Sequence, residues 1–422
     1  MAPDRSRRVR LWTQLAPLAL SSLAAAQQVD YLPRGKPTSL GFERALPERV
    51  EGVVRPLVET GQLPGAVVVV ARKGKVACEV CVGHRDLETK EAITVDTVFR
   101  VHSLTKPVVC AAVMILVERR LLKLRDPVSK HLPVFADVRV HVRGVGDEMV
   151  TEAPARAMTV EDLMRHTSGL VYGKVGEGVV ERIVKDAAIM SRADLAAAVD
   201  ALAELPLAFS PGTSWRYGHS HEVLGRIIEV VAGKPLDRAL QTLVFDPLGM
   251  DDTGFHVRPD QRARFASSYR MKSNGSLEVA DARDDSKYLE PPAIFSPGGG
   301  LVSTPADYAR FCQMLLGGGK FGRVRLLKAK SVRAMTQNQL PEEAFPIRFD
   351  KPSKGVGFGY GMSVAVRAPH RPAGEYAWSG FATTHFWADP KERMFALAFT
   401  QLQPSSQILV KPLRPLIYDA LR

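Results

Sequence analysis

The sequence predicts a mixed α/β (α+β) protein whose sheet is assembled from the two ends of the chain around an inserted, mostly helical region. Three observations predict it. An apolar hairpin pattern comes soon after the start, helix signals dominate from about 105 to 290, and strand-like runs return toward the end. The 422 residues suffice for one large domain or two of ordinary size, and 45% hydrophobic with 24% charged residues is a soluble globular composition.

Residues 1–26 stand apart. Arg5, Arg7, Arg8 and Arg10 form a basic start, Leu11 to Leu23 is mostly apolar, and Ala24-Ala25-Ala26 reads as a cleavage site. This is the layout of a secretory signal peptide, with a mitochondrial transit peptide as the alternative. The expected location is therefore the secretory pathway or outside the cell, or else the mitochondrion. The apolar run is short for a bilayer and none later is longer, so no stable membrane span is expected. Without the leader's four Arg and one Asp, the formal net charge falls from +12 to +9. The remaining basic residues are scattered and lack interleaved aromatics, so nucleic acid is not an expected partner.

Residues 27–45 contain Pro, Gln and Gly and read as a loose lead-in. The rest, 46–422, reads as one domain, with α/β parts at about 46–104 and 291–422 and a helical part at about 105–290. Glu48 to Leu63 has helical spacing (Val50, Val54, Leu57, Val58) and is broken by Pro64-Gly65. Ala66 to Ala71 follows as a strand, Lys73-Gly74-Lys75 turns, and Val76 to Val82 returns. Cys78 and Cys81 lie in that strand with no second pair downstream, so two half-buried thiols are expected rather than a metal site. Cys110 and Cys312 fall in apolar helical runs and read as core.

Further helices are expected at the apolar run Val108 to Val117, at the Thr159-capped segment ending at Met164, at Arg192 to Leu205, at Glu222 to Val231 and at Thr304 to Leu316. Residues 255–290 are polar and irregular. Strands are expected at Gly359 to Val366, Tyr376 to Trp378, Thr384 to Ala388 and Met394 to Thr400, before a final helix from Ser405 to Leu421.

Ser103 and Lys106 are three apart at the start of the first of those helices. On a helix they share one face, and the helix start leaves backbone N–H groups free beside the Ser. This S-x-x-K spacing suits a neutral Lys that takes the Ser proton so that the oxygen attacks a carbonyl. Taken alone, it also fits an N-cap Ser followed by a solvated Lys. Tyr217, between the turn Pro211-Gly212 and a helix, can present a phenol to a cleft for proton exchange, or simply cap a loop. In Trp378-Ser379-Gly380-Phe381, Gly380 permits close backbone approach, so Phe381 can supply an oxyanion N–H; a simple edge glycine is the alternative.

Other chemistries fail on inspection. His221-Glu222 has no second His for zinc, no G-x-S-x-G elbow or P-loop occurs, and Gly355, Gly357, Gly359 and Gly361 lack dinucleotide-binding spacing.

In order and spacing, Ser103-Leu-Thr-Lys106, Tyr217-Gly-His219 and Trp378-Ser-Gly380 resemble the serine β-lactamase-related family. The resemblance is to class C β-lactamases and penicillin-binding-protein-like esterases and transesterases, and runs from about Leu63 to Thr400. Supporting signatures are Leu163 to Leu170, Pro247 to Met250, Asp252 to Gly254, and Gly299 to Thr304 before Asp307-Tyr308. The resemblance implies a β-lactamase/transpeptidase-like fold with an antiparallel sheet flanked by helices. It also implies Ser103, Lys106 and Tyr217 as catalytic residues, and Ser103, Phe381, Trp378, Ser379, Gly380 and His219 as oxyanion or substrate-binding residues. Two departures matter. His219 stands where the β-lactamases have Asn, and Trp378 where they have a Lys that helps hold the substrate carboxylate.

The expected function is a carboxylesterase or acyl transferase on neutral esters, acting through an acyl-enzyme without metal or organic cofactor. The alternatives are a D-amino-acid peptidase or β-lactamase of the same fold, or a non-catalytic binding or scaffold relative. The expected partner is a small-molecule ester or amide, and oligomeric state is open. His166 and His102 are expected to support local structure, without a catalytic role.

Overall fold

The computed structural model describes residues 31–173, 175–349 and 351–422. The expected leader lies outside these residues. The chain begins with helix α1 (Leu46–Glu59) and a hairpin of strands β1 (Gly65–Arg72) and β2 (Lys75–Gly83). Five strands near the other end complete one sheet: β3 (Val356–Phe358), β4 (Ser363–Ala365), β5 (Tyr376–Gly380), β6 (Thr384–Asp389) and β7 (Met394–Phe399). Their spatial order is β3-β4-β5-β6-β7-β1-β2, and every pairing is antiparallel. The sheet is thus closed by β1 against β7, in the register Val67 opposite Phe399 through Arg72 opposite Met394.

The period-2 alternation of these strands splits their side chains between two cores. Val67, Val69, Phe395, Leu397 and Phe399 face α2 (Thr105–Glu118) and α5 (Pro305–Leu316) in one apolar cluster. Ala66, Val68, Val70, Ala396 and Ala398 face α1 and the final helix α6 (Val410–Asp419) in the other. Helix α2 is buried on all sides from Thr105 to Leu116 because it lies between the sheet and the inserted helices, which include α3 (Leu195–Ala203) and α4 (Ser220–Ala232). A helix that is apolar all round is stable only in such a place.

Several expectations need correction. The lead-in is packed, not loose, from Tyr31 onward: Tyr31 and Phe42 are buried, and the Tyr31 hydroxyl donates to Glu79 at 2.6 Å. The expected strand over 359–366 is confined to Ser363–Ala365, because the chain reverses at Gly359 to Met362 after the separate strand Val356–Phe358. Gly361 there has φ +82°, and a Cβ on it would lie 2.8 Å from the Lys106 carbonyl oxygen. The irregular stretch 255–290 contains a hairpin, Ser268–Met271 with Leu277–Asp281, that Leu402–Gln403 joins in parallel. Cys78 and Cys81 are not both half-buried. Three positions apart on a strand, they point to opposite faces, so Cys78 is buried and Cys81 exposed. Helix α1 ends at Glu59 rather than Leu63, α3 covers Leu195–Ala203 within the expected 192–205, and α6 begins at Val410 rather than Ser405.

Candidate active site

Ser103 does not lie inside the buried helix. It sits in a single 3-10 turn, His102–Leu104, immediately before α2. His102 has φ +44°, a left-handed conformation unusual for a residue with a side chain, and it places Ser103 at a sharp corner. The corner is held on three sides. The Val101 N–H donates to the Leu301 carbonyl at 3.1 Å, the Thr105 hydroxyl donates to the His102 carbonyl at 2.6 Å, and Tyr308 donates to the Leu104 carbonyl at 2.9 Å. Strand β5 closes the fourth. A Cβ on Gly380 would lie 2.2 Å from the Val101 carbonyl oxygen, so only glycine lets this strand reach the corner.

Lys106, one turn further on, is 1% exposed and points back at Ser103. Its Nζ donates to Ser103 Oγ at 3.2 Å and to the Gly298 carbonyl at 2.5 Å. No ion pair to Lys106 forms among the described residues. The faces of Tyr217 at 4.6 Å and Tyr172 at 5.6 Å lie beside its Nζ, and Glu222 is a more distant acidic neighbour. The Tyr217 hydroxyl donates to Ser103 Oγ at 2.7 Å. An amine and a phenol therefore converge on one alcohol oxygen, an arrangement that allows proton traffic to and from it.

Tyr217 is fixed by rings: His166 at 4.8 Å, Tyr172 at 5.3 Å, Trp378 at 5.6 Å and Phe349 at 5.7 Å. His166 is fully buried with φ +58°. Its carbonyl accepts the Arg216 N–H at 3.0 Å and its Nδ1 accepts the Gly218 N–H at 3.4 Å. It therefore shapes the loop that carries Tyr217. Burial holds His166 and His221 well below the usual imidazole range, Lys106 adding to both and His166 also to His221, so both rings are neutral near pH 7. Burial also pushes His102 down to about 4, and Arg100 adds to it.

Two cavities meet at Phe381, which is half exposed. One, of about 350 Å³, is lined by Ser103, Tyr217, Phe349 and Trp378 to Phe381. The other, of about 1040 Å³, is lined by His102, Tyr172, Phe255, Ile294 and Gly298 to Gly300. The structure thus brings Ser103, Lys106, Tyr217, Trp378, Ser379, Gly380 and Phe381 together. His219 lies apart, 6% exposed behind Tyr172 and beside Glu222, and lines neither cavity. Sequence reasoning missed Glu222, Gly298, Tyr172 and Phe349. Only the unusual run Pro297-Gly-Gly-Gly300 signalled a close backbone approach.

A family model described as Beta-lactamase matches residues 50–414. An uncharacterized protein of Mycobacterium tuberculosis is 35% identical over 367 residues, covering 84% of this chain and 90% of its own length. Esterase EstB of Burkholderia gladioli is 30% identical over 377 residues, covering 83% of this chain and 89% of its own. Among solved structures, EstCE1, described as a hydrolase with promiscuous acyltransferase activity, superposes with a TM-score of 0.76 at 27% identity. That match covers 89% of this chain and 99% of EstCE1. The chain is a member of the beta-lactamase family.

Proposed function

We propose that this chain is a serine hydrolase of the S-x-x-K class that works through an acyl-enzyme, as a carboxylesterase or acyl transferase on small neutral esters. The observation that carries the reading is the convergence of Lys106 Nζ and Tyr217 OH on Ser103 Oγ, at 3.2 and 2.7 Å. In this reading a neutral Lys106 takes the Ser103 proton as Oγ attacks the ester carbonyl. The N–H groups of Ser103 and Phe381 hold the oxyanion. Tyr217 passes a proton to the leaving alcohol, and water or a second alcohol then releases the acyl group by the reverse traffic. None of these steps calls on a metal or an organic cofactor.

The substrate class follows from the walls. The smaller cavity is rimmed by Tyr217, Phe349 and Trp378, which favour an apolar acyl group. Its two cations, Arg371 and Arg414, are both turned to Glu375, at 2.7 and 3.6 Å, and Trp378 carries no charge. Among the described residues, a substrate carboxylate, as in a β-lactam or a D-amino-acid peptide, finds no cation lining this cavity that is not already turned to Glu375. The esterase and acyltransferase descriptions of EstB and EstCE1 support the same class.

The test is intact mass after incubation with a fluorophosphonate probe, on wild type and on Ser103→Ala. A single adduct on wild type that is absent from the variant supports the reading, and a panel of p-nitrophenyl esters follows. No adduct on wild type, or one that persists in Ser103→Ala, rejects it.

A further inference from the structure

Glu222, on the first turn of α4, is a buried carboxylate at the back of this site, and nothing in the mechanism above uses it. It is 2% exposed. Its Oε2 lies 3.6 Å from His219 Nδ1, too far for a hydrogen bond, and neither atom has another partner. Its Oε1 accepts only a long bond from the Ser296 hydroxyl, at 3.5 Å. Burial raises a carboxyl's affinity for its proton, but here the His219 ring and the Lys106 ammonium outweigh burial and the carboxyl is held below its usual value. Glu222 is thus ionised in an enclosure where a charge is costly unless it is compensated.

The geometry shows what it compensates. A Cβ on Gly298 would lie 2.3 Å from Glu222 Oε1 and 2.9 Å from the Tyr172 hydroxyl, so the carboxylate presses directly on the Gly298 backbone. The carbonyl of that same residue holds Lys106 Nζ at 2.5 Å. One peptide unit therefore separates the buried anion from the amine that faces Ser103. We propose that Glu222 is a positioning residue that, together with His219, seats the Gly298 carbonyl under Lys106 and supplies the countercharge for the Lys106 ammonium formed when Ser103 gives up its proton. The proposal rests on Lys106 acting as the base.

Every charged or titratable group facing the pair belongs in the account. From α2 there are Lys106 and Cys110, whose thiol is kept protonated by burial, and from the turn before it His102, whose ring burial pushes down to about 4 and so leaves neutral near pH 7. The loop before α4 contributes His219 and Tyr217, and α4 itself contributes His221. His166 and Tyr172 come from the segment after Met164. His166 and His221 are neutral, and burial, with Glu222 adding to it, keeps the Tyr172 phenol protonated. The balance therefore lies between Lys106 and Glu222. With Glu222 made neutral, the proton passed from Ser103 to Lys106 loses its countercharge, and the acid limb of the pH–rate profile moves to lower pH.

The experiment compares wild type, Glu222→Gln, Glu222→Asp and His219→Asn on one p-nitrophenyl ester, reading kcat and KM from pH 5 to 10 alongside Tm. The expected result for Glu222→Gln is a fall in kcat of about tenfold or more with KM within about twofold, together with the downward shift of the acid limb. Glu222→Asp keeps the wild-type limb. His219→Asn removes the ring packed against the carboxylate and is expected to lower kcat with KM little changed, so the proposal stays testable if Glu222→Gln does not fold. A folded Glu222→Gln with unchanged kcat, or with lowered kcat and an unmoved limb, overturns it, and so does an unchanged kcat in His219→Asn. A wild type that hydrolyses no ester and takes no fluorophosphonate fails at the earlier reading instead.

Discussion

At the residue scale, the site depends on a lysine that is enclosed without an ion-pair partner of its own. In the proposed mechanism this amine, held between a carbonyl and a hydroxyl, uses its lone pair on Ser103, which is within reach of it. Lys106→Ala is expected to lower kcat/KM for a p-nitrophenyl ester by about 10³-fold or more while the protein stays folded, as checked by Tm. Tyr217→Phe keeps the ring packing and removes only the hydroxyl that donates to Ser103. It is expected to cost about 10²- to 10⁴-fold, mostly in kcat. Ser103, Lys106 and Tyr217 were legible in the sequence because the helix period ties the first two together and a turn-then-helix pattern exposes the third. Glu222 was not. It looks like an ordinary first-turn acid of α4, and only the folded chain shows that this turn faces Gly298 rather than water.

At the scale of elements, β5 and the Ser103 corner behave as one unit, because Gly380 admits the strand to within contact of Val101. Gly380→Val puts a side chain into that carbonyl and into Thr384 Oγ1. It is expected to abolish ester turnover and fluorophosphonate labelling, with a lowered Tm as the accompanying readout. The short helix Val160–Met164 is a milder case. Thr159 caps it, with the Thr159 hydroxyl accepting from the Asp162 N–H and the Asp162 carboxylate accepting from the Thr159 N–H. Thr159→Ala is expected to destabilise the protein by about 1 kcal/mol in urea unfolding, with kcat little changed. Such caps, like the hairpin of β1 and β2, are readable because their rules are local. The turn between β3 and β4 was read as the start of a strand at Gly359, and β3 itself was missed, because the glycines at 355, 357, 359 and 361 leave too few side chains to mark where the alternation breaks. The hairpin within 255–290 was missed because its strands are polar and half exposed, with no apolar face to mark the period.

At the scale of the whole molecule, acid sensitivity is set in part by carboxylates such as Asp162. Burial would raise its pKa, but bonds from Arg156 and Thr159 prevail and hold it down to about 2, against an ordinary value of 3.8. A carboxyl that ionises more readily in the folded chain contributes stability that is complete above about pH 4 and is lost as pH falls toward 2. Asp162→Asn is therefore expected to lower the urea midpoint at pH 7 and to flatten its decline between pH 4 and 2. The sheet has a different consequence, in the order of its synthesis. The Gly65 carbonyl at the head of β1 is bonded by Thr400, 335 positions later. At ribosomal speed that partner emerges roughly 20–70 s after β1 does. Through that interval the run Val67-Val68-Val69-Val70 offers an open, valine-rich edge to whatever other chain is near. Premature termination before Met394 thus leaves a molecule with an adhesive flank and no β7 to cover it.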